Sequence, residues 1–285
     1  MKRAPGTRTV VRHVPRKRFG QHFLTDEAAI AAIVASIAPQ PRDRMVEIGP
    51  GLGALTRPLA GRLDHLHVIE IDRDIVARLR AAFPAGRVTV HEGDALRFDF
   101  SALGRGLRVV GNLPYNISTP LLFHLVRHIA AIEDIHVMLQ KEVVRRMVAA
   151  PSTSEYGRLS VMLQYRFEME PVLAVPADAF RPVPRVESAV VRMVPFARLP
   201  HPARDEAALG TIVAAAFARR RKTLRNALQA HFKAADFGRL GVDAGLRAQD
   251  LSVEEFVRLA DGFLKQEHPG TTTGNRRFHR NKDCP

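Results

Sequence analysis

The feature that most limits what this chain can fold into is a regular alternation of short apolar runs and helical spacing across residues 44–139. Residues 44–48, 66–71, 88–91, 107–110 and 135–139 are apolar runs too brief for buried helices, and they predict five strands. Helices are predicted between them at about 54–62, 74–83 and 118–129. Strands joined by helical crossovers lie parallel, so the expected fold is α/β with a doubly wound sheet. Open sheets of this kind bind ligands outside the carboxyl ends of their strands. The residues that follow each strand are therefore where chemistry is expected.

After the first strand comes Gly49-Pro50-Gly51-Leu52-Gly53-Ala54, a turn that lets backbone approach a ligand at a helix amino terminus. It also satisfies the loose dinucleotide pattern, so alone it does not separate NAD from S-adenosylmethionine. Glu70 ends the second strand, suited to ribose hydroxyls, and Asp94 follows the third, suited to an adenine amine. The fourth runs into Gly111-Asn112-Leu113-Pro114-Tyr115. Pro114 fixes its own φ and restricts Leu113, which holds the Leu113 carbonyl in a defined direction. The Asn112 amide oxygen, that carbonyl and the Tyr115 ring together suit a flat, amine-bearing ligand such as adenine. Two acids and an asparagine turn in this order are the layout of Rossmann-like, S-adenosylmethionine-dependent methyltransferases. An NAD-dependent dehydrogenase needs none of the Asn-Leu-Pro-Tyr chemistry.

The flanks complete the organisation. Residues 1–18 carry seven Lys or Arg and no acid, and read as a basic arm. Thr25 or Asp26 is placed to cap a helix at about 27–38. Strands are expected near 171–175 and at 189–194, and Pro195, Pro200 and Pro202 mark a boundary. Helical spacing at 209–218, 224–232 and 253–264 predicts a small carboxyl-terminal α-helical domain. The expected domains are thus 19–197 and 198–265, with a polar, disordered tail at 266–285. A net charge of +14 points to a polyanionic partner, most simply nucleic acid. No run approaches a membrane span, and the amino terminus lacks the apolar core of a signal peptide. The single cysteine, Cys284, excludes an intramolecular disulfide and a cysteine-cluster metal site, and fits a reducing, cytoplasmic address.

Several segments in order carry a more specific signal: Arg18-Phe19-Gly20-Gln21-His22-Phe23-Leu24, Glu47-Ile48-Gly49-Pro50-Gly51, Val68-Ile69-Glu70-Ile71-Asp72, Gly93-Asp94-Ala95 and Gly111-Asn112-Leu113-Pro114-Tyr115-Asn116-Ile117-Ser118. Phe180-Arg181-Pro182-Val183-Pro184-Arg185-Val186-Glu187-Ser188 and the stretch from Ala216 to Asn226 extend it. Over residues 10–265 the chain resembles the ribosomal RNA adenine dimethyltransferases, most of all the bacterial branch acting on 16S rRNA. The resemblance implies S-adenosylmethionine contacts at His22, Leu24, Gly49, Glu70, Asp94 and Asn112. It implies a target-base site of Asn112, Leu113, Pro114 and Tyr115, with Phe180 covering the base's other face, and no metal. Arg219, Arg220, Arg221, Lys222 and Arg225 are the expected RNA phosphate contacts. The implied partner is the small ribosomal subunit or its precursor, met by a monomer. Two competing readings are a large-subunit rRNA methyltransferase conferring antibiotic resistance and a non-catalytic nucleic-acid-binding relative.

Overall fold

The computed structural model describes residues 21–267. The expected basic arm at 1–18, Phe19-Gly20, and the tail beyond residue 267 with Cys284 lie outside the described residues. The chain divides into two compact units, residues 21–148 with Arg166–Ala197, and Ala149–Tyr165 with 198–267.

The first unit is built on a seven-stranded sheet. Its strands are β2 (Arg44–Ile48), β3 (Leu66–Glu70), β4 (Val88–Glu92), β5 (Leu107–Asn112), β6 (Ile132–Gln140), β7 (Phe167–Val175) and β9 (Ser188–Pro195). The spatial order is β4-β3-β2-β5-β6-β9-β7. β2 to β6 are all parallel, while β9 runs antiparallel to β6 and β7. From β2 the chain goes to β3 and β4 on one side, then crosses to β5 on the other. That reversal opens a crevice at the carboxyl ends of β2 and β5. Crossovers are α2 (Thr56–Arg62), α3 (Arg73–Ala82) and α4 (Ser118–Arg127), and α5 (Lys141–Val148) follows β6.

One sheet face packs Met45, Val68, Val88, Val110 and Met138 against Leu59, Ile75 and Leu79 and against Ile33, Val34 and Ile37 of α1 (Glu27–Ile37). Asp26 caps α1 by accepting from the Ala29 N–H at 2.7 Å, whereas Thr25 turns its hydroxyl to the Ala179 carbonyl at 3.2 Å. Gly111 lies opposite Ile48 in the ladder, where a Cβ would stand 2.5 Å from the Ile48 oxygen. Only glycine lets β5 pass β2 that closely, and Asn112 follows directly. At the sheet's edge β7 is longer than the expected 171–175, and its register shifts at Pro171, which has no N–H for the ladder.

A two-stranded sheet of β1 (Phe23–Leu24) and β8 (Phe180–Arg181) stands apart, with Leu24 opposite Phe180. Two-residue strands carry no periodicity, so nothing in the sequence pattern predicts this pair.

The second unit gathers α6 (Arg158–Gln164), α7 (Glu206–Ala218), α8 (Leu224–Ala227), α9 (Ala234–Arg239) and α10 (Val253–Glu267). Its core includes Tyr156, Leu209, Ile212, Leu224, Phe232, Phe237, Phe256 and Leu259. Residues 149–165, read from sequence as part of the first domain, belong here. The Tyr165 hydroxyl accepts from the Ala203 N–H at 3.1 Å and donates to Glu206 at 3.3 Å. The expected 224–232 helix is shorter: α8 ends at Ala227, and a further turn, with Phe232 N–H on the Leu228 carbonyl at 3.0 Å, meets the rest of the apolar spacing.

Candidate active site

The pocket opens at the carboxyl ends of β2, β3, β4 and β5, lined by residues 21–24, 47–52, 69–71, 93–96 and 112–117 among others. Its chemistry follows from strand alternation. Glu47 lies opposite Val68 on one side and Val110 on the other, and Glu70 and Asn112 are two residues on from those partners. All three side chains therefore emerge from the same sheet face as the apolar core, at its edge.

The loop after β2 holds Gly49 and Gly51 at φ of +65° and +54°, a region costly to side-chain-bearing residues. At Gly51 a Cβ would also meet the Phe23 ring at 3.1 Å, so the loop lies flat beneath β1. The Glu70 Oε1 accepts the N–H groups of Ile71 and Asp72, both at 2.8 Å, which fixes the carboxylate at the wall of the pocket. Burial pushes the Glu70 pKa up, against the pull of these backbone donors and Gly51. Asp94 accepts from the Leu96 N–H at 2.9 Å, which orders the turn after β4. Exposed Leu52 and Ile71, at 42% and 47%, give apolar edges beside the acids.

Glu47 was not singled out by sequence reasoning, although an acid among alternating apolar residues of a buried strand is a signal. It is buried, accepts from the Thr56 hydroxyl at 2.7 Å, and has its pKa raised to about 8 by desolvation. In a chain of net charge +14, the carboxyl groups of Glu70 and Asp94 make the pocket locally acidic, while Glu47 behind them keeps its proton below about pH 8. Acidic walls, flat glycine backbone and apolar edges fit a cationic ligand with ribose hydroxyls and a purine, as S-adenosylmethionine is.

Beside it stands the asparagine turn. The Asn112 Nδ2 donates to the His22 carbonyl at 3.1 Å. Since a carbonyl only accepts, this fixes which amide atom faces His22 and keeps Oδ1 as the acceptor. The Leu113 N–H donates to the Met138 carbonyl at 3.1 Å, and the Pro114 carbonyl accepts from Ile117 at 3.2 Å. Tyr115 is half-buried, with its hydroxyl 2.7 Å from the Ser188 hydroxyl, and burial pushes its pKa up. The His22 ring stacks on Tyr115 at 5.8 Å and 24°, and its Nδ1 lies 2.7 Å from the Pro182 carbonyl. Leu24 is buried and lines the pocket.

Phe180 departs from expectation. Its side chain is 0% exposed, in the core cluster with Leu24, Val175 and Val190, and it does not line the pocket. Pairing with Leu24 turns it inward, so it is not a cover for a base in this arrangement. In the second unit, Arg219, Arg220, Arg221, Lys222 and Arg225 are exposed around the turn between α7 and α8. Arg220 differs from its neighbours: its guanidinium donates to the carbonyls of Ser154 and Tyr156 and to Gln249, stapling residues 149–165 to this turn.

A family model described as ribosomal RNA adenine dimethylase matches residues 12–265. The chain is 60% identical over 251 residues to the ribosomal RNA small subunit methyltransferase A of Chromobacterium violaceum, covering 88% of this chain and 96% of that one. The protein of the same name from Thiobacillus denitrificans is 62% identical over 244 residues, with 86% and 96% covered. Among solved structures, a dimethyladenosine transferase from Plasmodium falciparum superposes with a TM-score of 0.74 at 24% identity, covering 86% of this chain and 98% of its own. The 23S rRNA methyltransferase ErmE superposes with a TM-score of 0.66 at 27% identity, with 85% and 99% covered.

Proposed function

The chain belongs to the ribosomal RNA adenine dimethylase family, and from that premise we propose that it methylates the exocyclic amines of two adjacent adenines near the 3′ end of small-subunit rRNA, twice each, with S-adenosylmethionine as donor. The observation that carries this reading is the Asn112 amide, whose nitrogen is bound by the His22 carbonyl, in the lining of an acid-walled pocket. Leu24, Gly49, Glu70, Asp94, Asn112 and the main chain of His22 hold the donor in this reading. When bound, the donor supplies an electrophilic methyl group on a sulfonium.

The residues of the chain act on the acceptor. An adenine amine is a poor nucleophile because its lone pair is delocalised into the ring. Accepting its two N–H bonds at Asn112 Oδ1 and the Leu113 carbonyl draws the nitrogen toward tetrahedral geometry and frees that pair. Positioning and hydrogen bonding supply the acceleration. Tyr115 serves as a stacking surface and not as a base, since its phenol is held protonated. A methylated ammonium on an adenine ring is acidic enough to lose its proton without a strong base. The base must leave its stack to enter, at a few kcal/mol, which a loop makes easiest.

The small subunit or its precursor as partner is supported by the names of the relatives about 60% identical to this chain. A cytoplasmic monomer is the simplest form of this reading, and no helix among the described residues is long and apolar enough to cross a membrane. Arg219, Arg221, Lys222 and Arg225 supply phosphate contacts from the second unit, with Arg220 holding their turn in shape. The decisive experiment is transfer of labelled methyl groups to unmethylated small subunits, followed by identification of the modified bases. Dimethyladenosine at two adjacent positions is expected. Transfer to large-subunit RNA alone, or no transfer, refutes the proposal.

A further inference from the structure

His22 sits where the family resemblance implies a cofactor contact, yet most of what its atoms touch belongs to the acceptor side. Its backbone carbonyl accepts from the Asn112 amide, at 3.1 Å. Its ring lies 5.8 Å from that of Tyr115, nearly parallel. Its Nδ1 is 2.7 Å from the Pro182 carbonyl, and because that oxygen only accepts, Nδ1 carries the hydrogen. Tyr115 is held at its other end by Ser188, at 2.7 Å. The contacts close into a loop: His22 to Pro182, along the chain to Ser188, to the Tyr115 hydroxyl, and through the Tyr115 face back to His22.

We propose that His22 is a positioning residue for the target adenine, acting through both groups that grip it: its carbonyl aims the Asn112 amide, and its ring backs the Tyr115 stacking surface. Centroids 5.8 Å apart leave no room for a third ring between His22 and Tyr115. The adenine therefore lies on the face of Tyr115 remote from His22. The imidazole is the plate against which Tyr115 is pressed, and its bond to Pro182 keeps that plate from turning. With Phe180 buried, this backing is the aromatic support that the base's stacking partner has. The inference rests on the methyl-transfer reading and deepens it.

Three full-length variants separate the parts. His22→Phe keeps a ring facing Tyr115 but cannot donate to Pro182. His22→Asn can donate to Pro182 but has no ring. His22→Ala has neither, and the backbone carbonyl persists in all three. With saturating S-adenosylmethionine and unmethylated small subunits, His22→Ala is expected to lower kcat about tenfold or more, the scale of one stacking contact. Monomethyladenosine should accumulate, because the second transfer has one fewer N–H to hold. His22→Phe should recover more of the rate than His22→Asn, while the cofactor Kd, measured by calorimetry, moves by less than about threefold in each. Retained cofactor binding also reports that a variant is folded. If His22→Ala does not fold, the Phe and Asn pair decides the matter by the same rate order. A cofactor Kd weakened tenfold with kcat at saturation unchanged would return His22 to the cofactor alone and overturn the proposal, as would equal rates in Phe, Asn and parent. Failure of the parent itself to form dimethyladenosine would instead refute the proposed function.

Discussion

Replacing Glu47 by Gln should stabilise the protein, by an amount that grows with pH. Glu47 is buried and its pKa stands at about 8 in the folded chain, against an ordinary value of 4.5. The cause is desolvation, only partly offset by the hydrogen bond from Thr56. Between those two pH values the unfolded chain has released this proton and the folded chain has kept it. Folded stability therefore falls as pH rises, by about 1.4 kcal/mol per unit. The contribution is fully present below pH 4.5 and lost once pH passes about 8. A glutamine carries no such proton, keeps a carbonyl for Thr56, and offers an N–H where the acid had its O–H. Parent and variant should match near pH 4.5, and at pH 7 the variant should lead by on the order of 3 kcal/mol. Urea unfolding at half-unit steps from pH 4.5 to 9 reads the difference directly. A stability gap that does not change with pH would show that Glu47 is ionised in the folded chain, and the argument from burial would fail.

Glu70→Gln keeps one oxygen for the N–H groups of Ile71 and Asp72 but removes the charge, and should weaken S-adenosylmethionine binding by roughly 1.5–3 kcal/mol; calorimetric titration with an unchanged Kd would remove Glu70 from the site. Tyr115→Ala should slow the second methylation of each adenine more than the first, by about tenfold or more, because stacking worth roughly 1–3 kcal/mol carries more of the grip once one N–H is gone. Time courses that resolve mono- from dimethyladenosine test this, and equal slowing of both steps would sink it. Arg221, Lys222 and Arg225 changed together to Ala should weaken binding to the small subunit and reduce the salt slope by about 2–3 in log–log units. Arg220 is left in place because its guanidinium holds the unit together, and parallel slopes for variant and parent would mark these three as solvated surface.

Much of the first unit was legible without coordinates, because its information is local. The apolar runs at 44–48, 66–71, 88–91, 107–110 and 135–139 all form strands, and each expected ligand loop follows one of them. Glu70, Asp94 and Asn112 could be named because a parallel sheet puts every strand's carboxyl end on the same edge, and the pocket lies there. What lay beyond the sequence depends on pairings between distant residues. His22 and Pro182 are 160 positions apart, and the two-residue strands that bring them together leave no periodic trace. The same pairing turns Phe180 into the core, where the motif alone had placed it against a substrate base. Residues 149–165 look continuous with the sheet domain, but Tyr165 bonds to Ala203 and to Glu206 of α7, and Arg220 in the turn after α7 bonds to Ser154 and Tyr156. Glu47 is plain in the sequence as an acid within a strand; its raised pKa comes from the packing around it, which no single segment encodes. Local pattern determined which elements form and where ligands approach them, and tertiary contact decided which way the side chains face and which protons they hold.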